Sequence, residues 1–180
     1  MKHVGIYSGT FNPVHKGHVA FAAEAMRVCG LDEVTFAPEH SPRGKQNVAN
    51  LPYRIELLRR ETSKTANMRV IELKSPRFTV KNTLPEIKAM FAGAKLTLLI
   101  GSDVVKTLLN RWGNLDTLLA DTTLAIGMRG NDRQEDVDRT MACLRKKYGL
   151  PVKYTIVRAP FSDISSTLIR EQSTATSANE

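Results

Sequence analysis

Two of the chain's four histidines, His15 and His18, lie three residues apart in the segment 9-GTFNPVHKGH-18. Each imidazole offers ring N–H donors and can gain a positive charge beside a polyphosphate. An amphipathic run follows, so a helix N-terminus, which itself attracts anions, would lie next to the pair. Such a group suits the charge that develops in phosphoryl or nucleotidyl transfer. The alternatives are surface histidines or a metal site, and metal is disfavoured because no acidic or cysteine side chain accompanies the pair.

A second polar segment, 163-DISSTLIR-170, lies near the carboxyl terminus. Ser165, Ser166 and Thr167 are residue types that favour helix N-termini, where hydroxyls and unpaired backbone N–H groups can hold an anion. Arg170 follows one turn later and could donate several hydrogen bonds to phosphate oxygens. The alternative is an ordinary helix cap with a surface arginine.

Short apolar runs alternate with amphipathic runs along the chain. The predicted strands cover residues 3–8, 33–38, 68–73, 95–101, 122–128 and 152–158. The predicted helices cover residues 18–30, 53–64, 80–91 and 131–149. Pro85 either kinks the third helix or lies in its first turn. The strands are nearly continuous apolar runs, which is typical of a sheet covered on both faces. We therefore predict an α/β fold: a Rossmann-like, doubly wound parallel sheet of five to six strands with helices on both faces.

The composition is that of a soluble globular protein, with 42% hydrophobic and 24% charged residues among 180. This length predicts a single domain, over residues 1–172, and a disordered tail at 173–180. Cys29 and Cys143 show neither the spacing of a disulfide framework nor that of a zinc site. A signal peptide is not apparent, and no apolar run approaches the ~20 residues that span a bilayer. We expect a cytoplasmic protein with no membrane partner.

The formal net charge of +8 permits a different class of function. A basic surface attracts polyanions, so a non-catalytic nucleic-acid-binding protein is the main alternative to an enzyme with phosphate-bearing substrates. The cations are scattered, however, and their densest group, at 145–147, lies in a predicted surface helix. No nucleic-acid partner is therefore expected, while a homo-oligomer remains open.

The first segment, between a strand and a helix, resembles the HxGH motif of the nucleotidylyltransferase superfamily, and specifically of the nicotinate/nicotinamide-mononucleotide adenylyltransferases. The second segment resembles that family's ISSTxxR motif, and the resemblance runs from about Lys2 to Glu171. It implies an enzyme of NAD biosynthesis that joins ATP and nicotinate (or nicotinamide) mononucleotide into the dinucleotide and releases pyrophosphate. The mononucleotide phosphate would attack the ATP α-phosphate in line. Mg²⁺ would bridge phosphate oxygens as cofactor, and no protein metal site is implied.

The resemblance also implies site residues around ATP. The implied catalytic residues are His15, His18, Lys45 and Arg170. The implied ATP-binding residues are Ser8, Gly9, Thr10, Phe11, His15, His18, Gly101, Asp103, Ile164, Ser165, Ser166, Thr167 and Arg170. Lys45 is equally compatible with a solvated basic loop, and Asp103 with a helix N-cap.

Four further residues are implied at the mononucleotide: Thr79, Thr83, Trp112 and Arg54. Trp112, the only tryptophan, would stack on the pyridine ring from a loop-like stretch at 110–114. Thr79 and Thr83 resemble the family's T-V-x-T-L segment but could equally cap a helix. Arg54 would help to anchor the basic loop that contains Lys45.

The sequence departs from the family's pattern at several positions. Ser8 replaces a frequent glycine, Asn12 a frequent aspartate, and Gly113 a frequent tyrosine or histidine. The change at Gly113 leaves the choice between nicotinate and nicotinamide open. Phosphopantetheine adenylyltransferase is the nearest rival, but it usually has lysine where Arg170 stands and lacks the Trp112 feature. A cytidylyltransferase is disfavoured because the R-T-x-G-I-S-T motif is not found.

Overall fold

The predicted alternation of strands and helices is present in the computed structural model, which describes residues 1–42, 44, 47–160, 164, 166 and 169. The strands are β1 (His3–Gly9), β2 (Glu33–Pro38), β3 (Met68–Val70), β4 (Lys95–Gly101), β5 (Thr122–Gly127) and β6 (Tyr154–Val157). The helices are α1 (Lys16–Cys29), α2 (Leu51–Thr62), α3 (Val80–Met90), α4 (Ser102–Val105), α5 (Leu108–Arg111), α6 (Leu115–Asp121) and α7 (Gln134–Tyr148).

The six strands form one parallel sheet in the order β3-β2-β1-β4-β5-β6. Strand β1 is central, and its Ile6 pairs with Thr35 of β2 on one side and with Leu98 of β4 on the other. The chain order reverses between β1 and β4. Parallel sheets bind ligands beyond the carboxyl ends of their strands at such a reversal. The predicted parallel α/β fold is confirmed, and it places the His15–His18 segment at this point.

Alternate residues of the central strands supply two apolar cores, one on each face of the sheet. Helices α3, α6 and α7 cover one face, where residues such as Leu84, Leu118 and Leu144 are buried. Helices α1 and α2 cover the other, with Phe21 and Leu58 buried there. Burial on both faces explains why the strands read as continuous apolar runs rather than as alternating ones.

Helix α1 begins two residues earlier than predicted, at Lys16, so that His15 is its N-cap and His18 stands in its first turn. It ends at Gly30, whose φ of 61° lies in the left-handed region. That conformation favours glycine over residues with a side chain. The helix therefore presents His18 at its N-terminal end beside the strand ends.

Several boundaries differ from prediction. Strand β3 has only three residues, and α4 to α6 replace a stretch between 102 and 121 for which no helix was predicted. These helices are short, so they lack the extended periodicity that identifies α1 or α7. Pro85 lies inside α3, which excludes its placement in the first turn. Within the described residues, none of the helices combines the length and apolar character needed to cross a membrane.

Candidate active site

A cleft opens at the carboxyl ends of β1 and β4, and it brings both sequence segments together. The predicted ATP-binding residues along it are Ser8, Gly9, Thr10, Phe11, His15, His18, Gly101, Asp103 and Ser166. The hydroxyl of Ser166 donates a hydrogen bond of 2.9 Å to the carbonyl oxygen of Pro13, 153 residues away in sequence. Ser166 therefore packs directly on the loop that holds the histidines.

The two imidazoles form a tight pair. Their ring centroids are 3.7 Å apart with an interplanar angle of 35°. The backbone N–H of His15 donates to Nδ1 of His18 at 3.2 Å. Since Nδ1 accepts this bond, the neutral His18 ring carries its proton on Nε2. The cap of helix α1 thus selects the tautomer whose N–H lies at Nε2, on the side of the ring away from the capping backbone.

The ring of His18 is held by aromatic neighbours. Phe11 contacts it at a centroid distance of 5.1 Å with an interplanar angle of 72°, and Tyr7 lies 6.0 Å away. Phe11 has a φ of 48°, unusual for a residue with a side chain, which turns the loop back over the strand end. Burial raises the pKa of Tyr7 above its ordinary value, so its phenol stays neutral. These contacts fix the orientation of an imidazole that is itself only 8% exposed.

His15 is neutral at physiological pH for two physical reasons. Burial, and secondarily the positive charge of Arg129, lower its pKa to about 4. Both of its ring nitrogens are buried, and within the described part of the chain they lack hydrogen-bond partners. The hydroxyl of Ser8 is in the same condition. Leaving such groups unsatisfied costs about 1–3 kcal/mol each, and their persistence is typical of a site that obtains its partners from a ligand.

Asp103 and Arg129 meet over Gly101 at the end of β4. The Arg129 Nε lies 3.2 Å from Oδ1 of Asp103. A Cβ at position 101 would collide with that oxygen and would lie 2.9 Å from Arg129 Nε, so any larger residue there would oblige these two side chains to move. Asp103 is the second residue of α4, whose N-cap is Gly101, so the N-cap alternative for Asp103 is wrong.

Arg129 is a site residue that the sequence interpretation missed. It lines the cleft with His15 and His18, and its charge acts on the pKa of both His15 and Tyr7. A signal was available, because Arg129 directly follows the predicted strand 122–128, and strand carboxyl ends are where parallel sheets bind ligands.

Trp112 stands between the cleft and a second pocket that adjoins it. Its ring lies 5.8 Å from that of Phe78, and its Nε1 donates to the hydroxyl of Thr107 at 3.3 Å. Both pockets share Glu39, Phe78, Thr107 and Trp112. The two aromatic rings thus border a slot that continues the cleft away from the histidines, and Phe78 and Glu39 are further residues that the motifs did not indicate.

The two predicted threonines beside this pocket, Thr79 and Thr83, differ in whether their hydroxyls can reach a ligand. Thr79 is the N-cap of α3, where its hydroxyl accepts from the backbone N–H of Asn82 at 3.3 Å, and it also lines the pocket. Thr83 is fully buried, accepts from the backbone N–H of Thr79 at 2.9 Å and donates to the carbonyl oxygen of Arg77 at 3.2 Å. Its hydroxyl is committed to the turn before α3, so the prediction that Thr83 contacts the mononucleotide is corrected to a structural role.

The prediction for Arg54 is also corrected. The implied contact with the mononucleotide is not what the structure shows, because the side chain is 1% exposed. Its guanidinium donates to the carbonyl oxygens of Ala49, Thr10 and Glu39 at 2.7–2.8 Å. Arg54 therefore ties the HxGH loop to the loop after β2, which agrees with the expected anchoring role.

We expect Arg54→Met to lower the free energy of unfolding by about 2–4 kcal/mol, because three carbonyl oxygens, one of them in a fully buried contact, lose charged donors. Urea denaturation of the purified variant measures the change. Arg59→Met is the matched control on the same helix, since Arg59 is exposed and only 3.5 Å from Glu72, a pair worth less than about 1 kcal/mol. Equal midpoints for the two variants would contradict the anchoring role.

Ile164 lines a narrow pocket beside the cleft, together with Tyr7, Gly101 and Arg129. The remaining predicted residues are Lys45, Ser165, Thr167 and Arg170. These four lie outside the described residues, as does the tail at 173–180. Their roles stay predictions.

Known proteins share this sequence pattern and fold. A sequence profile described as cytidylyltransferase-like matches residues 6–172. A probable nicotinate-nucleotide adenylyltransferase of Bacillus pumilus is 31% identical, over 96% of this chain and 86% of its own. The nicotinate-nucleotide adenylyltransferase of Bacillus subtilis is 29% identical over the same shares.

Among solved structures, the nicotinic acid mononucleotide adenylyltransferase of Plasmodium falciparum complexed with NaAD superposes with a TM-score of 0.76 at 17% identity. The match covers 95% of this chain and 83% of that one, which shows a shared fold. Together with the paired imidazoles and with Ser166 bonded to the same loop, these matches establish that the chain belongs to the cytidylyltransferase-like family and, within it, to the nicotinate-nucleotide adenylyltransferases.

Proposed function

We propose that this protein transfers the adenylyl group of ATP to nicotinate mononucleotide, giving the dinucleotide and pyrophosphate. The observation that carries the proposal is the single cleft that contains His15, His18 and Ser166, joined through the hydrogen bond from Ser166 to Pro13. The names of the related proteins supply the substrates. Because the substrates are small phosphorylated nucleotides, we propose that the protein works in the cytoplasm.

The chemistry requires positioning and charge stabilisation rather than a covalent intermediate. The 5′-phosphate of the mononucleotide is already a nucleophile, and it would attack the α-phosphorus as the bond to pyrophosphate breaks. The Nε2–H of His18, whose direction is set by the helix cap, would donate to an α-phosphate oxygen as its charge rises. His15 would gain its missing hydrogen-bond partner from the neighbouring phosphate. Lys45 and Arg170 are proposed to take the departing pyrophosphate, with Ser165 and Thr167 beside them.

Magnesium enters the proposal together with the triphosphate. The described residues contain no group of three or more His, Cys, Asp or Glu side chains able to hold a metal. Asp103, a carboxylate that lines the cleft with the histidines, is already paired with Arg129. We therefore propose phosphate oxygens and water as the ligands of Mg²⁺, a coordination that this ion accepts readily. Its contribution would be to neutralise charge on the triphosphate.

The slot beside Trp112 is the proposed site of the pyridine ring, where Trp112 and Phe78 offer aromatic surface. Three cations, Arg77, Lys81 and Arg111, line this pocket, and in the described part of the chain none of them is in an ion pair. The facing carboxylate of Glu39 already accepts from the backbone N–H of Phe78 at 2.8 Å. A pyridine carboxylate would find complementary charge here, whereas a carboxamide would not, which supports nicotinate over nicotinamide.

The test is an assay with ATP, Mg²⁺ and one acceptor at a time: nicotinate mononucleotide, nicotinamide mononucleotide or phosphopantetheine. Pyrophosphate release and product mass are followed. We expect kcat/KM for the nicotinate compound to exceed that for the nicotinamide compound at least tenfold, about 1.4 kcal/mol of discrimination. Combined replacement Arg77→Met and Lys81→Met should reduce this ratio, while Lys88→Met, on the same helix as Lys81 but paired with Asp121, should not.

Other results would point elsewhere. Turnover with phosphopantetheine alone would support the rival adenylyltransferase. A folded protein that releases no pyrophosphate with any acceptor, but binds DNA or RNA in a salt-sensitive manner, would overturn the proposal in favour of a nucleic-acid-binding protein.

A further inference from the structure

Behind the cleft, a set of hydrogen bonds fixes the backbone of Arg129. Its backbone N–H donates to the hydroxyl of Ser102 at 3.1 Å, and that hydroxyl donates to Oδ2 of Asp132 at 2.7 Å. The backbone N–H of Asp132 in turn donates to the carbonyl oxygen of Arg129 at 2.9 Å. Ser102, Arg129 and Asp132 thus form a closed ring of contacts between the ends of β4 and β5.

This ring of hydrogen bonds is partly buried, and each donor in it meets an acceptor. Ser102 is 1% exposed, and its single O–H donor is already used by Asp132, so the hydroxyl is not available to donate to a ligand. The other oxygen of Asp132 accepts from Lys106 Nζ at 2.6 Å. The hydrogen bonds from Lys106 and Ser102 lower the pKa of Asp132 below its ordinary value, so the carboxylate remains an acceptor at neutral pH.

The fixed backbone determines where the guanidinium of Arg129 can lie. From its position after β5 the side chain crosses Gly101, where a Cβ would approach Nε to 2.9 Å, and meets Asp103 at 3.2 Å. Its charge then acts on His15 in the cleft. A rotation of the Arg129 backbone would change the direction in which the side chain leaves the end of β5, and it would shift the guanidinium relative to both Asp103 and His15.

We propose that Ser102 and Asp132 are positioning residues for adenylyl transfer, which hold Arg129 so that its guanidinium faces the reacting phosphates. The proposal rests on the function proposed above and deepens it. Neither side chain would touch substrate. Both would act through the backbone of Arg129, and their effect should therefore vanish when Arg129 can no longer supply its charge.

A double-mutant cycle tests this dependence. Ser102→Ala and Asp132→Ala are each expected to lower kcat about tenfold, with KM for ATP changed less than about twofold, because the misplaced charge matters most in the transition state. Made in an Arg129→Met background, either replacement should cause no further loss. Tyr154→Phe is the matched control, since it removes a hydroxyl-to-carboxylate bond of the same 2.7 Å length, to Asp138, at the opposite end of the sheet.

Urea denaturation of every variant accompanies the kinetics, and activity is measured only where the protein is folded. The proposal is overturned if Ser102→Ala and Asp132→Ala turn over like the Tyr154→Phe control. It is also overturned if their losses add in full to that of Arg129→Met, since a general loosening of the fold would act independently of Arg129. If the unmodified protein itself forms no dinucleotide, it is the proposed function that fails.

Discussion

His18→Ala is expected to lower kcat by about 10²–10³-fold while the protein stays folded, the cost of losing one preorganised donor at a developing oxyanion. The reason lies in how the ring is held. Its Nδ1 accepts from the backbone of His15, which leaves the proton on Nε2, and the ring contacts His15, Phe11 and Tyr7. Single-turnover measurement with MgATP and nicotinate mononucleotide isolates the chemical step.

A second variant separates the role of His18 in capping helix α1 from its role in catalysis. Glutamine is a favoured residue three positions after an N-cap because its side chain reaches back to the capping backbone N–H. His18→Gln should therefore keep the stability of α1 better than alanine, yet remain far slower than the unmodified enzyme because it carries no imidazole. His40→Ala, at an exposed histidine outside the motifs, should leave turnover unchanged. Folded His18→Ala with near-normal turnover would remove the role assigned to this residue.

The sequence was sufficient to predict most of the fold, and the reason is physical. Strands β2 and β4 agree with their predicted bounds because both are buried on both faces, so that residues on both sides of each strand, rather than alternate ones, are mostly apolar. The predicted start of α1 was late because Lys16 and Gly17 carry no helical signal of their own. Their helical state depends on the cap between His15 and His18, which is a three-dimensional contact.

Site residues were predictable from the sequence where they belong to one contiguous motif. They were harder to predict where the site combines residues that follow different strands. The loop after β1 carries its own signature, whereas Arg129, Phe78 and Glu39 come from three separate places and meet only because the parallel sheet aligns its strand ends. Arg54 illustrates the opposite error. An arginine near a phosphate-binding loop suggested a ligand contact. In the structure, its guanidinium instead donates hydrogen bonds to three backbone carbonyl oxygens. Sequence alone does not reveal which acceptors a buried arginine will find.

Arg129→Met should lower kcat by about 10²–10³-fold, because a fixed positive charge at the carboxyl end of β5 would no longer oppose the charge on the reacting phosphates. The side chain is 38% exposed and paired with an aspartate that is 56% exposed, so the ion pair itself adds little stability, and the variant should remain folded. Arg129→Lys keeps a charge but not the planar fork, and we expect it to recover only part of the rate.

The same replacement has a spectroscopic consequence at His15. Burial is the larger cause of its lowered pKa and persists in the variant, but the repulsion from Arg129 disappears, so the pKa of His15 should rise from about 4 towards its ordinary value. The sign follows because removing a neighbouring positive charge makes protonation easier. Titration of the His15 ring nitrogens by NMR in both proteins measures the change. An unchanged pKa of His15 would show that the Arg129 guanidinium does not act on His15 in solution. The loss of rate in Arg129→Met would then have to come from something other than the positive charge of Arg129 in the cleft.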